Sequence, residues 1–272
     1  MKCGRKTLIR GWADPIGKEI VVLMMNKPKV SVIIPAYKCT DTICNAVDSA
    51  LCQDVDLEVL VLNDCSPDHL DDVMTAYAQE PRVRYLKNPE NLGASGSRNR
   101  GVSLAEGEYV AFLDADDCWL PGKLSRQLKL LEETGCILCC TAREMMTPDW
   151  QSTGRIIPVQ EQIGYRDLLK ENSISCSSVV LPTAVAREFP MEHEDSHEDY
   201  IMWLRILKKY GSACGINEPL LQYRISNTGK SGNKLKSAMM TWKVYRYMEF
   251  GLIQSVICFV SYAFRGVKKH WL

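Results

Sequence analysis

The 272-residue chain carries no net formal charge, no internal repeat and no low-complexity stretch. It also has no hydrophobic run matching the ~20 residues a bilayer-spanning helix requires. A neutral balance argues against nucleic acid as the partner of the main body. The apolar piece at residues 20–25 is too short for a secretory h-region. A disulfide framework is not supported either. The twelve cysteines are scattered and fall inside apolar runs, as Cys139, Cys140 and Cys258 do, so they read as reduced, buried cytoplasmic thiols. Cys136, Cys139 and Cys140 lack a second pair at finger spacing, which favours a structural reading over a metal half-site.

Charge is present but unevenly placed. Residues 230–272 carry a local charge of +7 and residues 1–29 one of +5, so the middle is acidic by about 12. An anionic surface is therefore the expected partner of the tail. Residues 1–29 show no periodicity and are expected to be poorly ordered. Met24 and Met25, just ahead of the first strand and behind Lys18 and Glu19, are the expected translation start. N-terminal sequencing of the native gene product tests this, and a terminus at residue 1 or 2 refutes it.

From Val30 onward strand and helix signals alternate. Residues 30–35, 57–62 and 83–86 read as strands, with helices expected over 40–53 and 69–79. Ile43, Ala46, Val47, Ala50 and Leu51 supply the first helix with its apolar stripe. A Gly-rich loop at residues 88–101 leads into a third helix, and Tyr109 to Leu113 form a strand with the composition of a fully buried one. This alternation predicts a doubly wound, mostly parallel α/β sheet. Farther on, a helix is expected over 122–134, strands over 137–141, 177–181 and 220–225, a short helix over 165–170, and a helix opened by residues 196–200.

Chemistry gathers at the strand ends. Asp114, Asp116 and Asp117 crowd three carboxylates where the buried strand stops. Acids at i and i+2 there can hold a hard divalent cation bridging to a diphosphate, or can simply form an acidic turn. Asp64, ending the second strand, can accept a hydrogen bond from a base N–H, and Tyr37 can flank that base; a plain turn is the alternative. Arg98 and the small residues from Gly93 to Gly101 suit a diphosphate. That loop is no Walker loop, lacking Gly-Lys-Ser/Thr, and no dinucleotide fingerprint, since it follows the third strand. Ser196 and Asp199 stand at the spacing of a helix capping box.

The ordered set matters more than its members. Strand-Pro-x-Tyr, strand-Asn-Asp-x-Ser, Asn-x-Gly-x-x-x-x-Arg-Asn and strand-Asp-x-Asp-Asp follow one another over residues 30–117, and Glu198, Asp199, Tyr223 and Arg224 extend the series. This pattern resembles the family 2 glycosyltransferases of GT-A fold. The resemblance implies a cytoplasmic enzyme moving a hexose from a UDP-sugar, with inversion, to a hydroxyl of a polyprenyl-diphosphate-linked glycan. Such a reaction serves bacterial surface polysaccharide (O-antigen or capsule) synthesis. It further implies Pro35, Tyr37 and Asp64 at the base and ribose and Arg98 toward the diphosphate. Asp114 and Asp116 would meet ribose and metal (Mn²⁺ or Mg²⁺), and Asp199, beside Glu198, would be the catalytic base. One departure stands out: many relatives carry His shortly after Tyr-Arg, where this chain has Ser226. The competing readings are a non-catalytic sugar-nucleotide-binding or scaffold protein and a nucleotidyltransferase. The first could lose Glu198 and Asp199; the second needs a basic Gly-rich loop after the first strand, which residues 30–40 lack.

The expected organisation is an extension at 1–29, a catalytic domain at 30–232 (nucleotide half 30–118, acceptor half 119–232) and a basic helical tail at 233–272. In the tail Leu235, Met239, Trp242 and Tyr245 are expected on one face, with Lys236, Lys243 and Arg246 toward the other. The apolar run 252–264 follows, closed by Arg265, Lys268, Lys269 and Trp271. The composition points to a helix lying in the inner membrane surface, with core packing or a dimer contact as the alternatives.

Overall fold

A computed structural model describes residues 27–225 and 234–271. The start-site expectation at Met24 and Met25, and Ser226, lie outside the described residues. β1 (Val30–Ala36) and β2 (Leu57–Asn63) are mostly apolar and buried on both faces, and pair in parallel, Val30 opposite Leu57 and Ala36 opposite Asn63. β3 (Val83–Lys87) extends the parallel set beyond β2, and β4 (Tyr109–Phe112) extends it beyond β1. Between them run α1 (Ile43–Leu51), α2 (Leu70–Met74) and α3 (Gly93–Leu104). The helix expected over 69–79 shrinks to α2 plus one 3₁₀ turn, Thr75–Tyr77, and the Thr75 hydroxyl bonds the Asp72 carbonyl there at 2.6 Å. Such side-chain bonding competes with the helical ladder.

The second half continues the same sheet. After β5 (Cys118–Trp119) and α4 (Lys123–Thr134) come β6 (Cys139–Met146), β7 (Ser152–Ile157), β8 (Gln162–Gly164) and α5 (Tyr165–Leu168). Then follow β9 (Val180–Pro182), α6 (Thr183–Glu188), α7 (Glu198–Tyr210) and β10 (Ser212–Arg224). The main path of the ten-stranded sheet is β3-β2-β1-β4-β9-β6-β10-β5, with β7 on β6 and β8 on β10. β9 is antiparallel to both β4 and β6, whereas β6 and β10 are parallel to each other. The strand expected over 177–181 divides into a 3₁₀ turn, Cys176–Ser178, and β9. The one expected over 220–225 is the end of the 13-residue β10. Register shifts on both sides of Pro219 explain the short reading, because proline interrupts the ladder and hides the first half of the strand.

Two cores flank the sheet. Val32, Ile34, Val59 and Val61 pack with α1, α2 and α4 on one face, while Ile33, Leu60, Leu62 and Phe112 meet α3 and α7 on the other. Cys139 belongs to the first core and Cys140 to the second. Alternation along the strand therefore parts the two thiols across the sheet. α8 (Lys234–Tyr247) lays Val244 and Tyr245 into the α7 side of the molecule, and its Met240 is buried as well. Met239, expected on the same face as Tyr245, is 61% exposed, so the buried stripe sits one residue farther along. α9 (Leu252–Trp271) follows, and its Phe259 ring meets Trp242 edge-on, centroids 5.7 Å apart.

Candidate active site

The C-terminal ends of β1, β2 and β4 lie side by side, and their loops are stitched together by short polar side chains. Ser66 accepts from the Lys38 N–H at 2.7 Å and donates to Asp68 at 2.5 Å, while Asp68 also receives the Thr40 N–H at 3.2 Å. Tyr37 stands exposed above this weave, and Pro35 is half-buried in β1. Asp64, only 3% exposed, accepts from Asn88 Nδ2 at 2.7 Å, Leu92 N at 2.7 Å and Gly93 N at 2.9 Å. Its carboxylate thus fixes the entry to α3. Only Oδ2, with one donor in place, keeps room for a base N–H.

α3 differs from the loop expected there. The helix begins at Gly93, so Gly96 and Gly101 are interior helical residues. A Cβ on Gly101 would come within 2.5 Å of Ile33 Cγ2 in β1. The glycine therefore serves close helix-sheet packing, and that packing carries Arg98 beneath the strand ends.

There the acids converge. Arg98 is 6% exposed and holds Asp114 Oδ1 at 2.5 Å through one nitrogen and Glu198 Oε1 at 3.3 Å through the other. Arg98, the residue expected toward a diphosphate, joins the carboxylates of Asp114, two residues past the end of β4, and Glu198 of α7. Asp116, half-buried, has its carboxyl pushed up to about 6 by burial and by the adjoining Asp114. Asp117, almost fully buried, is raised well above the usual carboxylate range, first by burial and then by the two neighbouring acids. Its Oδ1 accepts the Arg224 N–H at 3.1 Å, and its Oδ2 has no hydrogen-bond partner among the described residues. Negative charge at this strand end is thus under-compensated, a situation a divalent cation relieves.

Ser196 does not cap α7. Its hydroxyl donates to the His193 carbonyl at 2.9 Å, the N-cap residue is His197, and the helix starts at Glu198. Asp199 Oδ1 receives the Tyr200 N–H at 2.7 Å, and Glu198 is buried beside Arg98. Three contributors were invisible in the sequence. Ser177 accepts the Asp114 N–H at 3.1 Å, with the Ser177 side chain also bonded to Asp117. Cys176 is buried among Arg98, Asp114, Glu198 and Asp199, and that burial raises its pKa so that it remains a thiol. Arg143 of β6 lies with its guanidinium carbon 5.7 Å from the Tyr223 ring centre; Asp117 also acts on its charge, and its buried Nε has no hydrogen-bond partner among the described residues. No spacing rule points to these residues, because their neighbours arrive from distant elements.

Residues 31–186 match the family described as Glycosyl transferase family 2. TuaG of Bacillus subtilis, whose name assigns it to teichuronic acid biosynthesis, is 37% identical over 246 residues, covering 89% of this chain and 98% of TuaG. The Escherichia coli UDP-Glc:alpha-D-GlcNAc-diphosphoundecaprenol beta-1,3-glucosyltransferase WfaP is 33% identical over 242 residues, 89% of this chain and 95% of WfaP. Among solved structures, S. aureus TarS 1-349 in complex with UDP-GlcNAc superposes with a TM-score of 0.69 at 18% identity, over 86% of this chain and 71% of TarS 1-349. The mannosyltransferase PcManGT from Pyrobaculum calidifontis, in complex with GDP-Man and Mn²⁺, gives 0.65 at 18% identity, over 84% of this chain and 66% of its own.

Proposed function

The chain belongs to glycosyltransferase family 2, and from that premise we propose that it transfers a hexose from a UDP-sugar to a hydroxyl of a polyprenyl-diphosphate-linked glycan, with inversion, in surface polysaccharide assembly. The observation that carries this reading is the buried Arg98 bridge. It ties Asp114, at the proposed donor end, to Glu198, the neighbour of Asp199, which supports a donor site and an acceptor base lying side by side.

Pro35 and Tyr37 would line the base, with Asp64 offering Oδ2 to it. Arg98 would hold Asp114 and Glu198 in register rather than meet the diphosphate directly. Asp114 and Asp116 would hold Mn²⁺ or Mg²⁺, whose chemistry is to offset charge on the departing diphosphate. Asp116, pushed up to about 6, and the Asp117 Oδ2, without a hydrogen-bond partner among the described residues, fit that assignment. Asp199 would take the acceptor proton as the hydroxyl attacks in line. Its Oδ1 is held by the Tyr200 N–H, which leaves Oδ2 for the acceptor. Arg143 is a cation available to the acceptor half. UDP release dependent on both acceptor and metal, lost in Asp199→Asn with UDP binding kept, tests the assignment; an Asp199→Asn enzyme of normal rate overturns it.

For the tail we propose a place on the cytoplasmic face of the inner membrane. No helix among the described residues is long and apolar enough to cross a bilayer. α9 nevertheless exposes Leu252, Ile253, Val256, Ile257 and Val260, at 48–80%, in a single stripe. The +7 charge of residues 230–272 suits anionic headgroups, and WfaP acts on a diphosphoundecaprenol-linked acceptor. Vesicle flotation measures this association.

A further inference from the structure

The connection between α6 and α7, residues 189–197, leads directly into Glu198 and Asp199, and it is gripped from both sides. On the nucleotide side, Met191 exchanges two hydrogen bonds with the Asn99 side chain, at 2.7 and 2.9 Å. Glu194 accepts the Ser95 N–H at 2.9 Å, as well as the Ser95 hydroxyl. On the opposite side the partner is the tail. Lys243 Nζ lies 2.6 Å from Asp195 Oδ2, and the Tyr247 hydroxyl meets both oxygens of Asp195 at 3.1 and 3.0 Å. The His193 ring stacks on Tyr247, centroids 3.7 Å apart and planes within 4°. His197 Nε2 is 3.3 Å from both the carbonyl and the hydroxyl of Ser237. His193 itself has a φ of +65°, and Ser196 closes the turn onto its carbonyl.

We propose that α8 is a positioning element of the transfer reaction: Lys243, Tyr247 and Ser237 lock residues 193–197 and so aim Asp199 at the acceptor hydroxyl. This rests on the assignment of Asp199 as base. Lys243 and Asp195 are about half exposed, so their pair contributes little to stability and its effect is geometric. The contacts fall four and two residues ahead of Asp199, at Asp195 and His197. A turn holding a residue at positive φ needs its surroundings to select that conformation. A displaced base loses rate steeply, since a shift of ~1 Å can cost about 10²-fold. The tail thereby belongs to the catalytic architecture as well as to the surface.

The test compares the full-length enzyme with Lys243→Met/Tyr247→Phe, alone and in the Asp199→Asn background. The expected result is a kcat lower by about tenfold to a hundredfold with UDP affinity and Tm unchanged, and rescue by Lys243→Arg in place of Lys243→Met. Because these residues act through Asp199, the double change leaves the residual rate of Asp199→Asn unaltered. An equal loss in both backgrounds, a loss of UDP affinity, or an unchanged kcat overturns the proposal. If Asp199→Asn alone keeps its rate, the base assignment fails first, and the positioning role falls with it. Should the double variant not fold, Tyr247→Phe, which removes one hydroxyl and keeps the ring stack, carries the same comparison.

Discussion

Ser177 shows what a single hydroxyl can do at this site. It receives the Asp114 N–H at 3.1 Å from a 3₁₀ turn 63 residues downstream, and so holds the acid in place from behind. Ser177→Ala leaves that N–H without a partner, which costs ~1–3 kcal/mol of stability. We expect kcat/KM to fall by about tenfold, equivalent to ~1.4 kcal/mol of barrier, read by steady-state UDP release. Lys123 makes a different point. It is fully buried, its amine 2.7 Å from Gln127 Oε1 and 4.0 Å from the Trp119 ring centre, and burial pushes its pKa from 10.5 down to about 7. A lysine with a depressed folded pKa binds more protons when unfolded, so its cost is fully present below pH 7 and is relieved between about 7 and 10.5. Thermal unfolding should therefore show wild type gaining on Lys123→Met as pH rises from 7 to 10; a constant difference refutes it.

Among the elements, α3 carries the site because of what it lacks. Gly101 lets the helix touch β1, and through that contact Arg98 reaches Asp114 and Glu198. In Gly101→Ala the added Cβ meets Ile33 Cγ2 at 2.5 Å. The clash is worth ~1–3 kcal/mol, against ~1 kcal/mol gained in helix propensity. Calorimetry should show a lower Tm, with activity falling further than Tm alone explains. The strand and helix periodicities of residues 30–62 were legible because fully buried strands and an amphipathic helix write their environment into composition. β10 was half hidden by Pro219 and its bulges, and the start of α3 by glycines that read as a loop.

At the scale of the whole molecule, one sheet spans both halves and brings residues from β2, β4, α3 and α7 to a single edge. The tail then closes over the α7 side, burying Tyr245 and Val244 while leaving the α9 stripe uncovered. Core packing, one of the alternatives when only the sequence is read, is thus taken by α8, while the exposed stripe of α9 is the part of the tail we propose for the membrane. Ile253→Glu/Ile257→Glu places two charges where side chains are 80% and 64% exposed. Since burying one such side chain contributes ~1.5–3 kcal/mol, partitioning onto anionic vesicles should drop by at least about tenfold, with UDP binding intact. Flotation equal to wild type would refute the membrane reading.

The sequence alone determined the family, the parallel strands and the identity of the acids, because an ordered series of motifs at strand ends survives as local pattern. It also marked Asp114, Asp116 and Asp199 as acids placed at the ends of elements, where a ligand can meet them. Tertiary structure alone decided what those residues do to one another. Arg98 bridges acids 16 and 100 positions away, and Asp64 is anchored by donors 24 to 29 residues on. Ser196 closes a turn instead of capping a helix, and α8 grips the approach to Asp199. Such pairings depend on where the sheet sets its edges, and no periodicity along a chain encodes a contact across it.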